Sequence, residues 1–513
     1  MGCRRLVIGM MALVLGLLYG TACLAQETQG VYLEYVTVTE TSTPRAFVST
    51  GRAEEDLIVT DHVTGSVVWS QSVVASEQAN GPRPWIDAEW SRSVDLPQFP
   101  PGFYVVGVDP TSVVPATVEF HEETYRMPLF VVPTSPTADV LLVFASLTST
   151  CYNSWGGHSC YTSPPQPYVG HKRPGVFGSY LRNLKKVIER ANALGISWDI
   201  VDERFLEDNP DFILGYRAVV MVFQHEYLTL PMRDTVEGYV NSGGRLLMLG
   251  NEGWIYQVRR EGDTYSVYKN PGRLIDPYDS DGDTSNDHLI AYEWVRGTPV
   301  SNTTGPNRPE TRVLGQSTWL GYHADVPYWT AWRTGHWFYA ETELADGDPF
   351  RDGLSGGQAL KLSQILGGVK TAWAGGLPFV DQEEIFEVPN DVLVLATIES
   401  MESRPWNCEP NWDSTQANCG APSTAAITIR PAENDGVVMV LPDHNWVLNI
   451  PADTLVTQMT DNALAAFAAP APLDVYAGYS IPFSVPTISQ WWSVPVALFL
   501  IHQIWAFRAR RQQ

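Results

Sequence analysis

The sequence predicts an α/β protein, an antiparallel β-sandwich followed by a doubly wound parallel-sheet domain with long loop insertions. Three observations predict it. Short alternating runs rich in β-branched residues, broken by Pro and Gly, fill about Val31 to Pro133, as antiparallel sandwiches require. From Asp139 onward, continuous apolar runs alternate with helical stripes, the pattern of parallel strands covered on both faces. A chain of 513 residues, 44% apolar and 18% charged, has room for two or three domains and enough apolar side chains to give each a core.

Taken in order, residues 1–25 carry Arg4 and Arg5, an apolar run from Leu6 to Leu18, and small residues through Ala25. That is the pattern of a secretory signal peptide, with a membrane anchor as the alternative. Cys23 after Gly20-Thr21-Ala22 raises lipid attachment, although Gly20 stands where a large apolar residue is expected. The sandwich domain is assigned to residues 27–133, with strands in Tyr32–Val38, Leu57–Thr60, Ser66–Trp69 and Gly102–Val108. The α/β domain is assigned to residues 136–470. Its first strand is Asp139–Ala145, followed by a helix over Ser179–Leu194 that ends before Gly195. Trp198–Val201, Ala218–Phe223 and Leu246–Leu249 are further strands, and a helix with Thr229 as N-cap starts near Pro231. Beyond residue 265 the periodicity gives way to aromatic-rich loops and strands, with one more helix over Asp453–Phe467. Residues 471–484 read as a spacer.

In such sheets ligands bind beyond the carboxyl ends of the strands. Three polar segments follow strands there: Cys151 to Tyr161, Gln224-His225-Glu226-Tyr227, and Gly250-Asn251-Glu252-Gly253-Trp254. The order of elements therefore brings polar groups distant in sequence to one rim.

The net charge is −24. Five of the 33 basic residues and none of the 57 acidic ones lie in residues 1–25 and 491–513, so the stretch between stands at −29. Such a surface repels phosphate backbones, which excludes nucleic acid as a partner. With an export signal the cysteines are read as oxidised. Cys151 with Cys160 and Cys408 with Cys419 form two local pairs, for which disulfides are expected and thiolate metal ligation is the alternative. Asp279, Asp281, Asp283 and Asp287 are spaced as in a calcium loop, but Ile290 stands where the usual glutamate would be; a solvated acidic loop is the other reading. P-loop and HExxH patterns are absent.

At the C-terminus, Val485-Pro486-Thr487-Ile488-Ser489-Gln490-Trp491 precedes an apolar stretch to Phe507 and then Arg508, Arg510 and Arg511. This resembles the IPTL-type C-terminal sorting signal of Gram-negative bacteria. The resemblance implies that residues 485–513 form a sorting signal with a transmembrane helix, acted on by a membrane processing enzyme. An ordinary tail anchor is the alternative, and either places the bulk of the chain on the periplasmic or cell-surface side.

From about Pro128 to Phe467 the chain resembles the C-terminal domain of the large (β) subunit of N,N-dimethylformamidase. The matching stretches are Tyr152-Asn-Ser-Trp-Gly-Gly-His-Ser-Cys-Tyr161, His225-Glu226-Tyr227 with Met232-Arg233-Asp234, and Gly250-Asn251 with Trp254. Gln257-Val258-Arg259, Arg308-Pro309-Glu310, and His336-Trp337 with Asp346-Gly347-Asp348 follow in order. The resemblance implies an amidotransferase-like fold and a mononuclear iron site held by Tyr152, Tyr161 and Glu226. Hard oxygen donors of this kind suit Fe(III), and an open position would take a small amide substrate for C–N bond hydrolysis. His225 and Asn251 are the catalytic candidates beside the metal. Each of these residues also has a plainer role open to it: Tyr anchors loop–sheet junctions, Glu226 could cap a helix, and Asn251 a turn. Two departures bear on activity. Gln224 stands where the family has a histidine, with His225 in the neighbouring slot, and Gln358 stands where the family has an acid. These departures and the 18 tryptophans also support a non-catalytic cell-surface binding protein on the same fold. A homo-oligomer is left open.

Overall fold

The computed structural model describes residues 30–49, 53–74, 82–108, 125–161, 168–175, 177–250, 253–254, 256–266, 310–323, 329–350, 365–374, 377–380, 389, 391–398, 423–443 and 446–477. It is a mixed α/β structure, with four sheets among the described residues. The N-terminal strands are β1 (Gly30–Leu33), β2 (Thr37–Thr39), β3 (Arg45–Ser49), β4 (Glu54–Asp61), β5 (Val67–Val74), β6 (Ser93–Asp95), β7 (Gly102–Val108) and β8 (Arg126–Val132). They form a three-stranded sheet of order β1-β3-β6 and a five-stranded sheet of order β2-β8-β7-β4-β5. All pairings are antiparallel except β2 with β8.

The next segment runs β9 (Val140–Phe144), α1 (Ser146–Tyr152), β10 (Tyr168–Gly170), α2 (Gly178–Ala193), β11 (Trp198–Asp202), α3 (Glu203–Asp208), β12 (Ala218–Val222), β13 (Tyr227–Thr229), α4 (Leu230–Asn241), β14 (Arg245–Leu249), β15 (Tyr256–Glu261) and β16 (Thr264–Ser266). The rest is α5 (Thr311–Leu314), β17 (Ser317–His323), β18 (Trp329–Ala331), β19 (Pro349–Phe350), β20 (Ile365–Ala374), β21 (Leu377–Val380), β22 (Leu393–Ile398), β23 (Ser423–Pro431), β24 (Val437–Leu441) and α6 (Thr454–Ala468). A twelve-stranded sheet carries most of these, with β11-β9-β12-β14-β24-β23-β22-β18-β19 along its path. Its first five strands are parallel. From β24 onward the neighbours are antiparallel.

Side chains alternate across a strand, so each parallel strand serves two cores. Leu142, Phe144, Val220, Leu247 and Met439 face a cluster that also contains α2, α6 and the N-terminal strands. Leu141, Val143, Met221, Met248 and Val440 face a second cluster that contains α4, Tyr227 and Trp254. The N-terminal sheets and one face of the long sheet thus share a single apolar core.

Local sequence explains the helices that flank it. α2 buries Leu181, Leu184, Val187, Ile188 and Ala191 as one stripe. Gly195 closes it at φ +69°, and Ile196 N donates to Ala191 O at 2.9 Å. Thr229 caps α4, its Oγ1 accepting from Met232 N at 3.3 Å, and Asp453 caps α6 through Leu455 N and Val456 N.

Among the described residues no helix is long and apolar enough to cross a membrane. The stretches expected to be a signal peptide (1–25) and a sorting signal (485–513), with Asn251, Gln358, the Asp279–Asp287 loop and the Cys408/Cys419 pair, lie outside the described residues.

Candidate active site

The carboxyl rim of the parallel strands is built by close backbone approaches. Phe223, just past β12, has φ +74°, a left-handed conformation uncommon for a side chain of its size. Its N–H donates to Leu249 O at 2.8 Å. Gly250 answers from β14, where a Cβ would lie 2.4 Å from Phe223 O, so only glycine fits. The chain then turns through Gln224 to Tyr227 along the rim.

α1 delivers the other half of the site. Thr148 Oγ1 accepts from Glu226 N at 2.9 Å and from Tyr227 N at 3.4 Å, joining α1 to the segment after β12. Tyr152 stands at the last position of α1. The following loop returns Tyr161 beside it, the two rings stacked with centroids 4.2 Å apart. Tyr161 Oη donates to Glu226 Oε1 at 2.8 Å and shares a 2.7 Å hydrogen bond with Tyr227 Oη. Tyr152, Tyr161 and Glu226, spread over 75 residues of sequence, therefore meet at one place. Each tyrosine is 40% exposed, whereas Glu226 and Tyr227 are buried. Burial pushes the Glu226 carboxyl up to about 8, against hydrogen bonds from Tyr152 and Tyr227 that pull it down. Burial also raises Tyr227, and the neighbouring Glu226 charge raises it further.

The loop that carries the tyrosines is held from inside by Arg173. This buried guanidinium donates from Nε to Gly170 O at 2.9 Å, from one terminal nitrogen to Trp155 O at 2.8 Å and His158 O at 3.2 Å, and from the other to Thr150 O at 3.0 Å. Burial lowers its pKa to about 10, which leaves it charged at neutral pH. Asn153 adds a second tie, donating to Pro174 O and accepting from Trp155 N.

The disulfide expected between Cys151 and Cys160 is not formed; both are buried thiols in the apolar cluster beneath Tyr227. A main-chain bond from Cys160 N to Cys151 O at 3.0 Å closes the loop instead, together with Arg173.

His225 lies behind the tyrosines with no exposed surface, and its Nδ1 is 2.6 Å from Glu203 Oε1. The other oxygen of Glu203 accepts from Leu147 N at 2.9 Å, in the first turn of α1. Gln224 is buried and accepts from Tyr180 Oη at 3.4 Å. No group of three His, Cys, Asp or Glu side chains able to hold a metal ion occurs among the described residues; the oxygen cluster above is made of one carboxylate and three phenols. Sequence reading did not single out Tyr227, Thr148, Glu203 or Arg173 for this site. Of these only Tyr227 left a signal, as the neighbour of Glu226 in a matched stretch.

Fold and site together define a mixed α/β protein with an oxygen-rich, tyrosine-lined site at the rim of its parallel strands. The chain belongs to the family described as N,N-dimethylformamidase beta subunit-like, C-terminal, whose profile matches residues 56–368. That match starts in β4 and ends in β20, so it takes in the later N-terminal strands and the site but not β1 to β3. No curated protein matches the chain. Among solved structures, a cold-adapted β-galactosidase from Rahnella sp. R3 is similar at 12% identity with a TM-score of 0.31, over 64% of this chain and 31% of that chain. So slight a likeness carries no argument.

Proposed function

We propose that this protein is an exported hydrolase of a carbon–nitrogen amide bond, in which Tyr152, Tyr161 and Glu226 hold one iron ion. Membership of the dimethylformamidase-like family supports the hydrolase class. The single observation that carries the site is the meeting of the three residues, with Tyr161 Oη 2.8 Å from Glu226 Oε1 and Tyr152 stacked on Tyr161. The donor chemistry fits, because two phenols and a carboxylate are hard oxygen ligands of the kind Fe(III) prefers. Iron there would supply Lewis-acid polarisation of an amide carbonyl and a bound water of lowered pKa.

The chain's own residues do the rest. Tyr227 steadies the Tyr161 hydroxyl, Thr148 holds the backbone of Glu226, and the exposed faces of Tyr152 and Tyr161 leave room for a small amide. His225, turned onto Glu203, is a positioning residue for the 224–227 segment in this reading. Asn251 orients substrate. Several further features belong to the same proposal: a sandwich over residues 27–133, an amidotransferase-like domain over 136–470, export by the 1–25 signal, and processing at 485–513 by a membrane enzyme. So does calcium at Asp279, Asp281, Asp283 and Asp287.

The test is metal analysis and a visible spectrum of the full chain supplied with ferric iron, beside Tyr161→Phe. About one iron per chain, with a tyrosinate band that weakens in the variant, is expected. Failure of the unmutated chain to retain iron would overturn the assignment.

A further inference from the structure

β5 ends the strand order of the five-stranded sheet, and β4 is its only neighbour among the described residues. Its sequence, Val67-Val-Trp-Ser-Gln-Ser-Val-Val74, contains no charge, no proline and no glycine. An outward Lys and a Pro, two of the devices that ordinarily blunt a sheet edge, are missing from it. A bulge at Val59/Thr60 sits at the beginning of β5 and leaves the rest of the strand in regular register, with Ile58 opposite Ser70, Leu57 opposite Gln71 and Asp56 opposite Ser72. Trp69 packs against the core and Val73 is buried, whereas Val67, Val68 and Val74 are 61%, 46% and 51% exposed. Three exposed valines thus lie along a backbone edge that has no second strand beside it among the described residues.

We infer that β5 is a dimerisation edge, on which a second copy of this chain lays its own β5 antiparallel about a two-fold axis at Gln71. The sequence around that residue is self-complementary. Opposite residues in an antiparallel pair must lie on the same face, so a two-fold pairing is centred on a residue rather than between two. Centred on Gln71, the pairing sets Ser70 against Ser72 and Trp69 against Val73, polar with polar and apolar with apolar, within the part of β5 that keeps regular register. The two Gln71 side chains face each other on the axis, where their amides can bond reciprocally. An isologous interface requires this self-matching, and it closes after two copies, which protects an otherwise aggregation-prone edge. The absence of charge along β5 lets two acidic molecules approach at this strand. The joined sheet would have about ten strands, within the range of open twisted sheets.

The full-length chain, solubilised in mild detergent, is to be examined by sedimentation and by oxidative cross-linking. A dimer is expected for the unmutated chain. Gln71→Cys should give a covalent dimer on a non-reducing gel, because facing Cβ atoms in such a pair are about 5 Å apart. Thr64→Cys, exposed in the adjacent turn, should not. Ser70→Lys with Ser72→Lys places like charges opposite each other twice by symmetry and should raise the dimer dissociation constant at least about tenfold. Both serines are exposed, so the thermal midpoint of the double variant reports whether it has folded. A chain that is monomeric at every concentration reached would overturn the inference. So would a dimer that survives the double lysine variant with no Gln71→Cys cross-link, since that dimer would form elsewhere.

Discussion

Thr148 shows how much of the candidate site depends on single atoms. Its hydroxyl accepts from the main-chain N–H groups of Glu226 and Tyr227, both buried. Thr148→Val keeps the shape and removes the acceptor. The stranded donors should cost about 1–3 kcal/mol in denaturant unfolding, and iron affinity should fall with them; a variant as stable as the parent would mean that this tie is dispensable. Arg173 is a stronger case, because its four hydrogen bonds all reach main-chain carbonyls of the 150–170 region. His336 supplies a pH test at the same scale. It is buried, its Nδ1 accepts from Phe338 N at 3.2 Å, and its Nε2 lies 2.9 Å from Val475 O. This arrangement uses the neutral ring with its proton on Nε2. Burial is the main cause that lowers its pKa to about 4. The unfolded chain therefore binds the proton first as pH falls, near the ordinary histidine value of ~6.5. The stability this ring contributes is complete above about 6.5, is lost progressively down to about 4, and changes no further below that. Thermal melts of His336→Gln should show a shallower loss of stability across that window than the parent; parallel pH profiles would refute the assignment.

Between elements, the decisive contact at the rim is Gly250 against Phe223. Gly250→Ala at φ +150° would drive a methyl to 2.4 Å from Phe223 O, so the ends of β12 and β14 must separate. A loss of at least ~2 kcal/mol is expected, and the shift should loosen the 224–227 segment enough to lower iron occupancy together with stability. Unchanged stability would show that the rim yields easily. The elements that sequence disclosed best carry their pattern locally. The stripe predicting a helix over Ser179–Leu194 spans Gly178–Ala193, the Thr229 cap is in place, and the helix expected over Asp453–Phe467 spans Thr454–Ala468. β24 left no such signal, although Val-Val-Met-Val-Leu is fully buried. Five apolar residues without a regular crossover helix before them do not reveal their partner, and β14 lies nearly 190 residues earlier. The site divides the same way. Tyr152, Tyr161 and Glu226 were named from the motif that carries them, whereas Glu203 and Arg173 matter through contacts across 22 and 23 residues of chain, which no local pattern encodes. The spacing of Cys151 and Cys160 suggested a bridge, and the fold closes that loop by backbone bonding.

At the scale of the whole molecule, the parallel strands are completed from the far end of the described chain. β24 occupies the open edge of β14, and β23 continues the sheet from it. α6 then packs across, with Arg190 paired to Asp461. Arg245, at the start of β14, donates to the carbonyls of Ala466, Phe467, Ala469 and Ala471 at and beyond the C-terminal end of α6. That placement joins a cation to the negative end of the helix dipole and satisfies carbonyls the helix leaves open. The first half of the α/β region should consequently not fold as an independent unit, although all three segments of the candidate site lie in it. A chain ended after residue 270 would leave the β14 edge unpaired and strip Val220, Leu247 and Phe144 of the cover that Met439 and α6 residues such as Met459 and Phe467 give in the shared core. It should bind hydrophobic dye, unfold without a cooperative transition and fail to retain iron. In the full chain, Arg245→Met should produce a milder version of the same defect, a loss of about 1–3 kcal/mol with faster amide exchange in α6 than in α2. A cooperative transition in the shortened chain would show instead that the early strands and their site stand alone, with β24 and α6 as additions to an already stable sheet.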